Sequence, residues 1–374
     1  MDRALINELS EAIHENNIVY KIYKNKNGKA QWNVICSAID WIKVVIDQID
    51  PNKVLLDNSN AASVQLMTFI MCIDVLWESI QQLHRVLYET AKAPFHDERK
   101  VFSKKIINLP DNQYFKTIRA CFAAHPVNLQ DDFGKTGGGD RWYADWSLSI
   151  SKGKDYSVQL RSNNPMLESV WLTVSTKELM EFAQKRYQHL KKLIDRIKTI
   201  KQGYIGEWKS IIIATPYCTL DQISVLMEEN QLRFDDDHYH YLLQQMRTIF
   251  SVNPKSKKNR SVLEGFQEAL LIEIEEIRVH LQKMELGQLE NNVLDKIPIP
   301  ADCEYSFSEL TSEVFCNASL PLWSQEPFRN HLDKVIDFKA VESVEELFAL
   351  VLSGFYKMSR ISADIQPEDG SLID

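Results

Sequence analysis

The sequence has no paired cysteines and no run of apolar residues long enough to cross a membrane. Its 374 residues include only six cysteines, all scattered, and none belongs to a Cys-x-x-Cys pair. This pattern indicates neither a disulfide framework nor a zinc knuckle. We therefore expect buried free thiols in a reducing cytoplasm, and the sequence predicts neither a metal site nor a cofactor.

Signals for export and for membrane insertion are also missing. Residues 1–17 carry acids and lack the apolar core of a signal peptide. The strongest apolar run, 66–73, is closed by Asp74 and falls far below the roughly 20 residues that a membrane span requires. The sequence thus predicts a cytoplasmic protein that makes no membrane contact.

Positive charge is in deficit over the whole chain. The sequence holds 43 lysines and arginines against 52 aspartates and glutamates, a formal net charge of -9. Phosphate contacts need lysine and arginine, so this charge argues against broad, charge-driven binding to nucleic acid. It leaves room for local basic surfaces.

Helical spacing of apolar residues dominates the first third of the chain. It predicts helices at 2–15, 32–49 and 61–92. Between the first two lies a stretch rich in β-branched and aromatic residues that contains Asn27-Gly28. That dipeptide tolerates positive φ, and the stretch therefore predicts a β-hairpin.

The third of these helices carries a polar stripe opposite its apolar side. Asp74, Glu78, Gln81 and Arg85 recur at three- and four-residue steps, so they share one face of the helix. Such a stripe either faces water or borders a functional site.

Three strand-like runs follow near the middle of the chain, at 141–150, 156–161 and 170–174. Turn-forming residues separate them, which predicts a small antiparallel sheet inserted between helices at about 141–174. Ser175 and Glu178 then match a capping box, which predicts one long helix.

The polar side of that long helix concentrates positive charge. Its basic residues are Lys185, Arg186, Lys191, Lys192, Arg196, Lys198 and Lys201. The strip is interpreted either as a solvated helix face or as a surface that steers RNA phosphates, with Lys185, Lys191, Lys192 and Arg196 as the candidate RNA-binding residues.

A change of composition after the long helix predicts two domains, 1–205 and 206–374. The second domain reads as a series of helices whose start signals lie at Thr219, Ser261 and Ser343. The fold class predicted for the whole chain is mainly α, with the small sheet as an insertion in the first domain.

One short helix carries the best chemical signal. It is predicted to begin at Asp111 and to stop before Pro126, because proline disfavours helical geometry in the residue before it. Arg119 and His125 share this element. Their Arg-x5-His arrangement, preceded by two long helices, resembles the Arg-x4-to-6-His motif of the HEPN family.

The resemblance implies a HEPN-like helical bundle that acts as a metal-independent endoribonuclease in toxin or antiviral systems. It implies that Arg119 holds the phosphate, that His125 exchanges protons, and that Asp74 or Glu78 orients the imidazole. It further implies an RNA substrate, a homodimer, and control by a protein partner or antitoxin. Family members often carry a polar residue after the arginine, whereas this sequence has Ala120.

Two alternatives stay open from the sequence. The altered residue at Ala120 fits a non-catalytic helical module that binds protein or RNA. In addition, Arg233 precedes His238 and His240 at permitted spacings, beside three aspartates at 235–237. That second cluster also has the composition of a divalent-metal site.

A regular helix would not bring Arg119 and His125 together. Six residues turn by about 600°, which leaves the two side chains some 120° apart and about 9 Å apart along the axis. A distorted helix end, or a two-fold dimer that pairs two motifs, would relieve this separation.

Overall fold

The computed structural model describes residues 1–54, 59–124, 129–130, 141–151, 155–235, 238–316 and 325–365. The fold is mainly helical with a small antiparallel sheet, which confirms the predicted class. Contacts divide the chain into two compact units, which we call unit 1 (Met1–Gly203) and unit 2 (Tyr204–Asp374). The division lies two residues before the predicted end of the first domain at 205.

Unit 1 begins with three helices, α1 (Ala4–His14), α2 (Ile18–Tyr23) and α3 (Gln31–Val45). The predicted hairpin is therefore wrong, because its first half is α2. Val19 and Tyr23 are both fully buried, and their four-residue spacing puts them on one face of a helix.

The Asn27-Gly28 dipeptide still adopts the positive φ that suggested the hairpin, with values of 55° and 72°. Its effect is local. One isolated bridge, Lys26 to Lys29, is formed around it. The dipeptide thus makes a tight turn after a helix and does not join two strands.

The long helix α4 (Asn60–Tyr88) is the central element of unit 1. Its N-terminus is capped by Ser59, whose Oγ accepts a hydrogen bond from the Ala62 N–H at 3.1 Å. Among the described residues, one helix has the length and apolar composition to span a membrane, and it is α4. Half of its most apolar stretch is buried inside the protein. The buried apolar residues of α4 from Leu66 to Leu87 belong to the core of unit 1; the cytoplasmic location stays a prediction.

The segment 89–110, between α4 and the next helix, α5 (Asp111–Arg119), contains neither helix nor strand. The Asp111 carboxylate accepts hydrogen bonds from the Val101 N–H at 3.0 Å and from Lys105 Nζ at 2.6 Å. Burial alone would raise the pKa of Asp111, but these bonds lower it overall. The start of α5 therefore anchors the segment that precedes it.

The sheet consists of β1 (Leu129–Gln130), β2 (Arg141–Ser151), β3 (Asp155–Ser162) and β4 (Val170–Ser175). The strands pair in chain order and are antiparallel, as the predicted meander requires. One face is buried in the core of unit 1. Its buried apolar residues include Tyr156, Val158, Leu160, Leu172 and Val174.

Two helices, α6 (Thr176–Tyr187) and α7 (Leu190–Ser210), follow where one long helix was predicted. The predicted capping box is also wrong. Ser175 makes no side-chain cap bond, and the Glu178 carboxylate instead accepts hydrogen bonds from the N–H and Oγ of Ser103, at 2.9 and 2.6 Å. A partner distant in sequence thus replaces the local capping interaction.

In its described residues, unit 2 contains helices and no β-strand. Its main helices are α8 (Thr219–Arg233), α9 (His240–Ser251), α10 (Lys257–Gln282), α11 (Ala301–Cys316), α12 (Glu326–Leu332) and α13 (Val344–Ile365). They enclose a core of their own, separate from that of unit 1.

The three predicted helix starts of unit 2 differ in outcome. Ser343 Oγ accepts a hydrogen bond from the Glu346 N–H at 3.1 Å, which confirms the cap of α13. Ser261 lies inside α10, which begins four residues earlier, so that start is wrong. At α8 the capping residue is Cys218, one residue before the predicted Thr219.

The described cysteines are free thiols, as predicted, but they are not all buried. Cys121 and Cys303 are buried, Cys36 and Cys72 are half-buried, and Cys218 is exposed. The expectation of uniformly buried thiols is therefore wrong for Cys218.

Candidate functional site

The arginine of the predicted motif contacts a carboxylate of the central helix. Arg119, the last residue of α5, donates a hydrogen bond from Nη1 to Oδ2 of Asp74 at 2.7 Å. The two residues are 45 positions apart in sequence. The structure thus brings together two of the four predicted catalytic residues.

The packing of α5 explains this contact. Tyr114, Phe115 and Ile118 are buried on one side of the helix, and the ring of Phe115 stacks on that of Phe182 from α6 at 4.5 Å between centroids. With that side fixed in the core, the C-terminal end of α5 meets α4. Arg119 then lies beside Asp74.

The ion pair is partly removed from solvent. The Asp74 side chain is 9% exposed, whereas the Arg119 side chain is 33% exposed. Because a guanidinium has five N–H donors and Asp74 occupies one nitrogen, the group can still bind a second anion. Arg119 Nε is buried and has no hydrogen-bond partner among the described residues.

Two further donors on α4 lack a partner within the described ranges. Trp77 Nε1 and Gln81 Nε2 are buried without a hydrogen bond there, three and seven positions after Asp74. The sequence placed Gln81 on the polar stripe, but it assigned Trp77 to the apolar side and missed its N–H. Glu78, the fourth predicted catalytic residue, is half-buried one turn after Asp74.

The helix changes its geometry directly after Arg119. Residues Ala120–Ala124 form a π turn, and the Ala120 N–H is shared between the carbonyls of Lys116 and Thr117. Single π turns are rare and occur often at functional sites. The 120° separation expected for a regular helix therefore does not apply, while His125 itself lies outside the described residues.

Five members of the predicted basic strip lie on α7: Lys191, Lys192, Arg196, Lys198 and Lys201. Lys191 and Lys192 are exposed. Arg196 is half-buried: its Nε donates to the Leu87 carbonyl at 3.0 Å, and its guanidinium lies 5.5 Å from the centre of the Tyr88 ring. Lys198 is exposed as well, with Nζ 3.7 Å from the Glu8 carboxylate. Lys191, Lys192 and Lys198 therefore carry the accessible charge of this part of the strip.

Other members of the strip are held by internal partners. Lys185 forms an ion pair with Glu98, which also accepts a hydrogen bond from the fully buried Arg186. Lys201 is buried and paired with Glu15. These side chains hold unit 1 together, so the basic surface is smaller than the sequence suggests.

The competing motif around Arg233 is accounted for by internal bonds. Arg233 is fully buried. It donates to the Glu229 carboxylate at 2.6 Å and to the carbonyls of Trp208 and Ile211 at 2.9 and 2.8 Å. An arginine in this setting has no surface on which to meet a phosphate. The alternative metal site predicted at 235–240 includes residues 236–237, which lie outside the described residues.

Comparisons of the chain with models of protein families, with characterised proteins and with solved structures give no match. The HEPN relationship therefore depends on the motif and its surroundings, and it stays a prediction.

Proposed function

We propose that unit 1 is a HEPN-type, metal-independent endoribonuclease whose chemistry is carried by Arg119 and His125. One observation supports this more than any other: a half-exposed Arg119 is fixed by a buried carboxylate, Asp74, at 2.7 Å. The pair stands directly before the π turn that leads to His125.

The reaction that fits these groups is transesterification of RNA. The 2′-oxygen attacks the adjacent phosphorus while His125 takes the 2′-hydroxyl proton. The bond from phosphorus to the 5′-oxygen breaks as that oxygen takes a proton from water, and protonated His125 then returns its proton to the solvent. The products are a 2′,3′-cyclic phosphate and a 5′-hydroxyl, and no metal ion takes part.

Asp74 and Arg119 supply the electrostatic part of this mechanism. Negative charge accumulates on the non-bridging phosphate oxygens in the transition state, and the free N–H groups of Arg119 stabilise it. Asp74 holds the guanidinium in position beforehand, so little reorganisation is needed. Glu78 is the candidate for orienting the His125 imidazole.

The charge of unit 1 supports an RNA substrate. Met1–Gly203 contains 28 lysines and arginines against 23 acids, a formal charge of +5, whereas Tyr204–Asp374 contains 15 against 29, a formal charge of -14. The acidity of the whole chain comes from unit 2. Unit 1 can therefore attract phosphates, with Lys191 and Lys192 as exposed contacts.

In this proposal the protein acts in the cytoplasm as a toxin or antiviral effector. A two-fold dimer would place two Arg119 motifs side by side. Unit 2 would bind the protein partner or antitoxin that controls cleavage.

The test is cleavage of RNA by the purified full chain in the presence of EDTA. We expect cyclic-phosphate ends, a rate about 10²–10³-fold lower in Arg119→Ala, and one about 10²–10⁴-fold lower in His125→Ala. Expression of the wild-type chain in a bacterial host should fragment RNA and slow growth, and both variants should relieve this.

Lys116→Ala is the matched control, because Lys116 is exposed on α5 one turn before Arg119. It should cleave at the wild-type rate. If neither motif variant alters cleavage or growth, the non-catalytic alternative is favoured, in which the Arg119–Asp74 pair only joins α5 to α4.

A further inference from the structure

Three potential metal ligands meet in unit 2, far from the motif in sequence. Asp302 and Cys303 lie in the first turn of α11, and His331 lies in the last turn of α12. The Asp302 carboxylate, the Cys303 Sγ and a ring nitrogen of His331 all lie within 4.8 Å of one another. A sequence search for Cys-x-x-Cys cannot find such a set, because its members come from two helices.

We propose that Asp302, Cys303 and His331 bind one Zn²⁺ ion. The inference depends on unit 2 alone and is independent of the proposed ribonuclease.

The distances suit a tetrahedral ion. Zinc bonds of 2.0–2.3 Å place neighbouring ligand atoms about 3.3–3.8 Å apart. His331 Nε2 and Asp302 Oδ2 are now 2.8 Å apart, joined by a hydrogen bond. Side-chain shifts of about 1 Å would therefore replace that bond by two bonds to the metal.

Two hydrogen bonds position Cys303 at this site. The Cys303 N–H donates to the Pro300 carbonyl at 2.8 Å, which begins α11. The Cys303 S–H donates a hydrogen bond to the Pro327 carbonyl in α12 at 3.5 Å. The sulfur is thus fixed between the helices before any ion arrives, which lowers the ordering cost of binding.

The ligand types select zinc among common cations. A thiolate with an imidazole and one carboxylate favours zinc, whereas calcium and magnesium prefer oxygen ligands alone. The two anionic ligands together neutralise a divalent ion. The partial positive charge of the α11 N-terminus opposes the ion but favours its anionic ligands. Burial and the neighbouring Asp302 raise the pKa of the Cys303 thiol, so the ion displaces the thiol proton when it binds.

The burial pattern leaves a path to the site. Cys303 is fully buried, the His331 side chain is 30% exposed, and the Asp302 side chain is 63% exposed. An ion would therefore lie at the rim, with sulfur beneath it and solvent above. Three protein ligands leave a fourth position for water, as in open zinc sites.

The test uses the reduced, chelator-treated full chain and Co²⁺ as a spectroscopic probe for Zn²⁺. We expect one Co²⁺ per chain, visible bands of a tetrahedral ion and a thiolate-to-cobalt charge-transfer band. Zn²⁺ should displace the probe, and excess Mg²⁺ or Ca²⁺ should not.

Three variants assign the ligands. Cys303→Ser should lose the charge-transfer band, whereas Cys218→Ser, at an exposed free thiol, should keep it. His331→Gln and Asp302→Asn change half-exposed and exposed side chains, so we expect both variants to fold. They test the site even if Cys303→Ser, at a buried position, is unstable. Each should weaken binding by at least about 100-fold, because second-shell changes alone cost 10–100-fold.

Two results would overturn the proposal. One is the absence of cobalt bands at micromolar protein and metal. The other is a charge-transfer band that survives in Cys303→Ser or that is lost equally in Cys218→Ser.

Discussion

Arg186 is a charged residue buried completely inside unit 1. Its guanidinium lies 3.7 Å from the centre of the Phe182 ring, and it donates hydrogen bonds to Asn112 Oδ1 at 2.7 Å and to Glu98 Oε2 at 3.1 Å. Burial lowers the pKa of Arg186 to about 10, although the neighbouring carboxylates oppose this. The residue stays charged at neutral pH and joins α6 to α5 and to segment 89–110.

We expect Arg186→Met to destabilise unit 1 by about 3 kcal/mol. Removing one partner of a buried ion pair costs about 3–5 kcal/mol, and the lower end applies because Glu98 keeps Lys185 as a partner. The measurement is the urea midpoint of the full chain, with hydrogen exchange used to assign the transition to unit 1.

Lys185→Met is the matched control, since Lys185 binds the same Glu98 but has a side chain that is 39% exposed. Its loss should cost less than about 1 kcal/mol. Equal midpoint shifts in the two variants would contradict the structural role given to Arg186.

Sequence alone placed Lys185 and Arg186 on the same basic strip. Neighbouring residues on a helix point about 100° apart, so one of the two faces the core. Which one does so is decided by Asn112 and Glu98, 74 and 88 residues away. Periodicity could therefore find the helix but not the partner. Asp74 was easier to select as a candidate from the sequence, because it belongs to a stripe of polar residues at helical spacing on α4.

At the scale of elements, the predicted single helix after the sheet is broken between α6 and α7. His189 lies at the break and is 6% exposed. Its Nε2 is 3.0 Å from Nδ1 of His84 on α4, and its ring packs edge-on against Phe95 at 5.5 Å. The helix thus breaks where an imidazole turns into the core.

This junction predicts a loss of stability in acid. Burial, aided by the charges of His84 and Lys192, lowers the pKa of His189 to about 4; that of His84 is also lowered by burial. The unfolded chain takes up this proton near pH 6.5. Stability is therefore complete above pH 6.5 and falls as the pH drops towards 4, by about 2 kcal/mol from His189 between pH 7.5 and 5.

His189→Gln should reduce this pH dependence, measured as the difference between the urea midpoints at pH 7.5 and pH 5. His96→Gln changes an exposed imidazole and should leave the difference as in the wild type. A pH dependence that persists unchanged in His189→Gln would show that other groups cause it.

The elements themselves were predictable where the pattern was long. α4 and the antiparallel meander follow the expected spacing, whereas the short stretch that forms α2 was assigned to a hairpin. Six residues such as Ile18–Tyr23 satisfy helical and strand patterns almost equally. Their packing against the rest of unit 1 decides between the two.

At the scale of the whole molecule, charge is divided unequally. Unit 1 carries a formal charge of +5 and unit 2 one of -14. The net charge of the complete chain hid this division. The predicted border at 205 gives the same two charges as the observed one, because residues 204 and 205 are uncharged. Charge-driven binding of RNA is thereby assigned to unit 1 in our proposal.

We expect RNA binding by the full chain to depend on the exposed lysines of α7. In a His125→Ala background, which prevents cleavage, Lys191→Gln combined with Lys192→Gln should weaken binding. It should also lower the slope of log affinity against log salt by about 1.4, at 0.7 for each single-strand phosphate contact. Fluorescence anisotropy over a salt series measures both quantities.

The control pair is Lys334→Gln with Lys357→Gln, two exposed lysines of acidic unit 2. It removes the same charge and should leave the salt slope unchanged. Identical losses in the two pairs would mean that total charge, and not the surface of α7, governs binding.

Segment 89–110 has one more consequence, for the way the chain is attacked by proteases. It looks like an exposed linker, yet Asn112 donates to the carbonyls of Pro94 and Phe95, and the Asp111 carboxylate and Glu178 hold its later part. A protease needs a stretch of chain that has come free. Cleavage within this segment therefore requires that its hydrogen bonds to α5 and α6 break first. A cut there reports the local unfolding of unit 1 and does not mark a domain boundary.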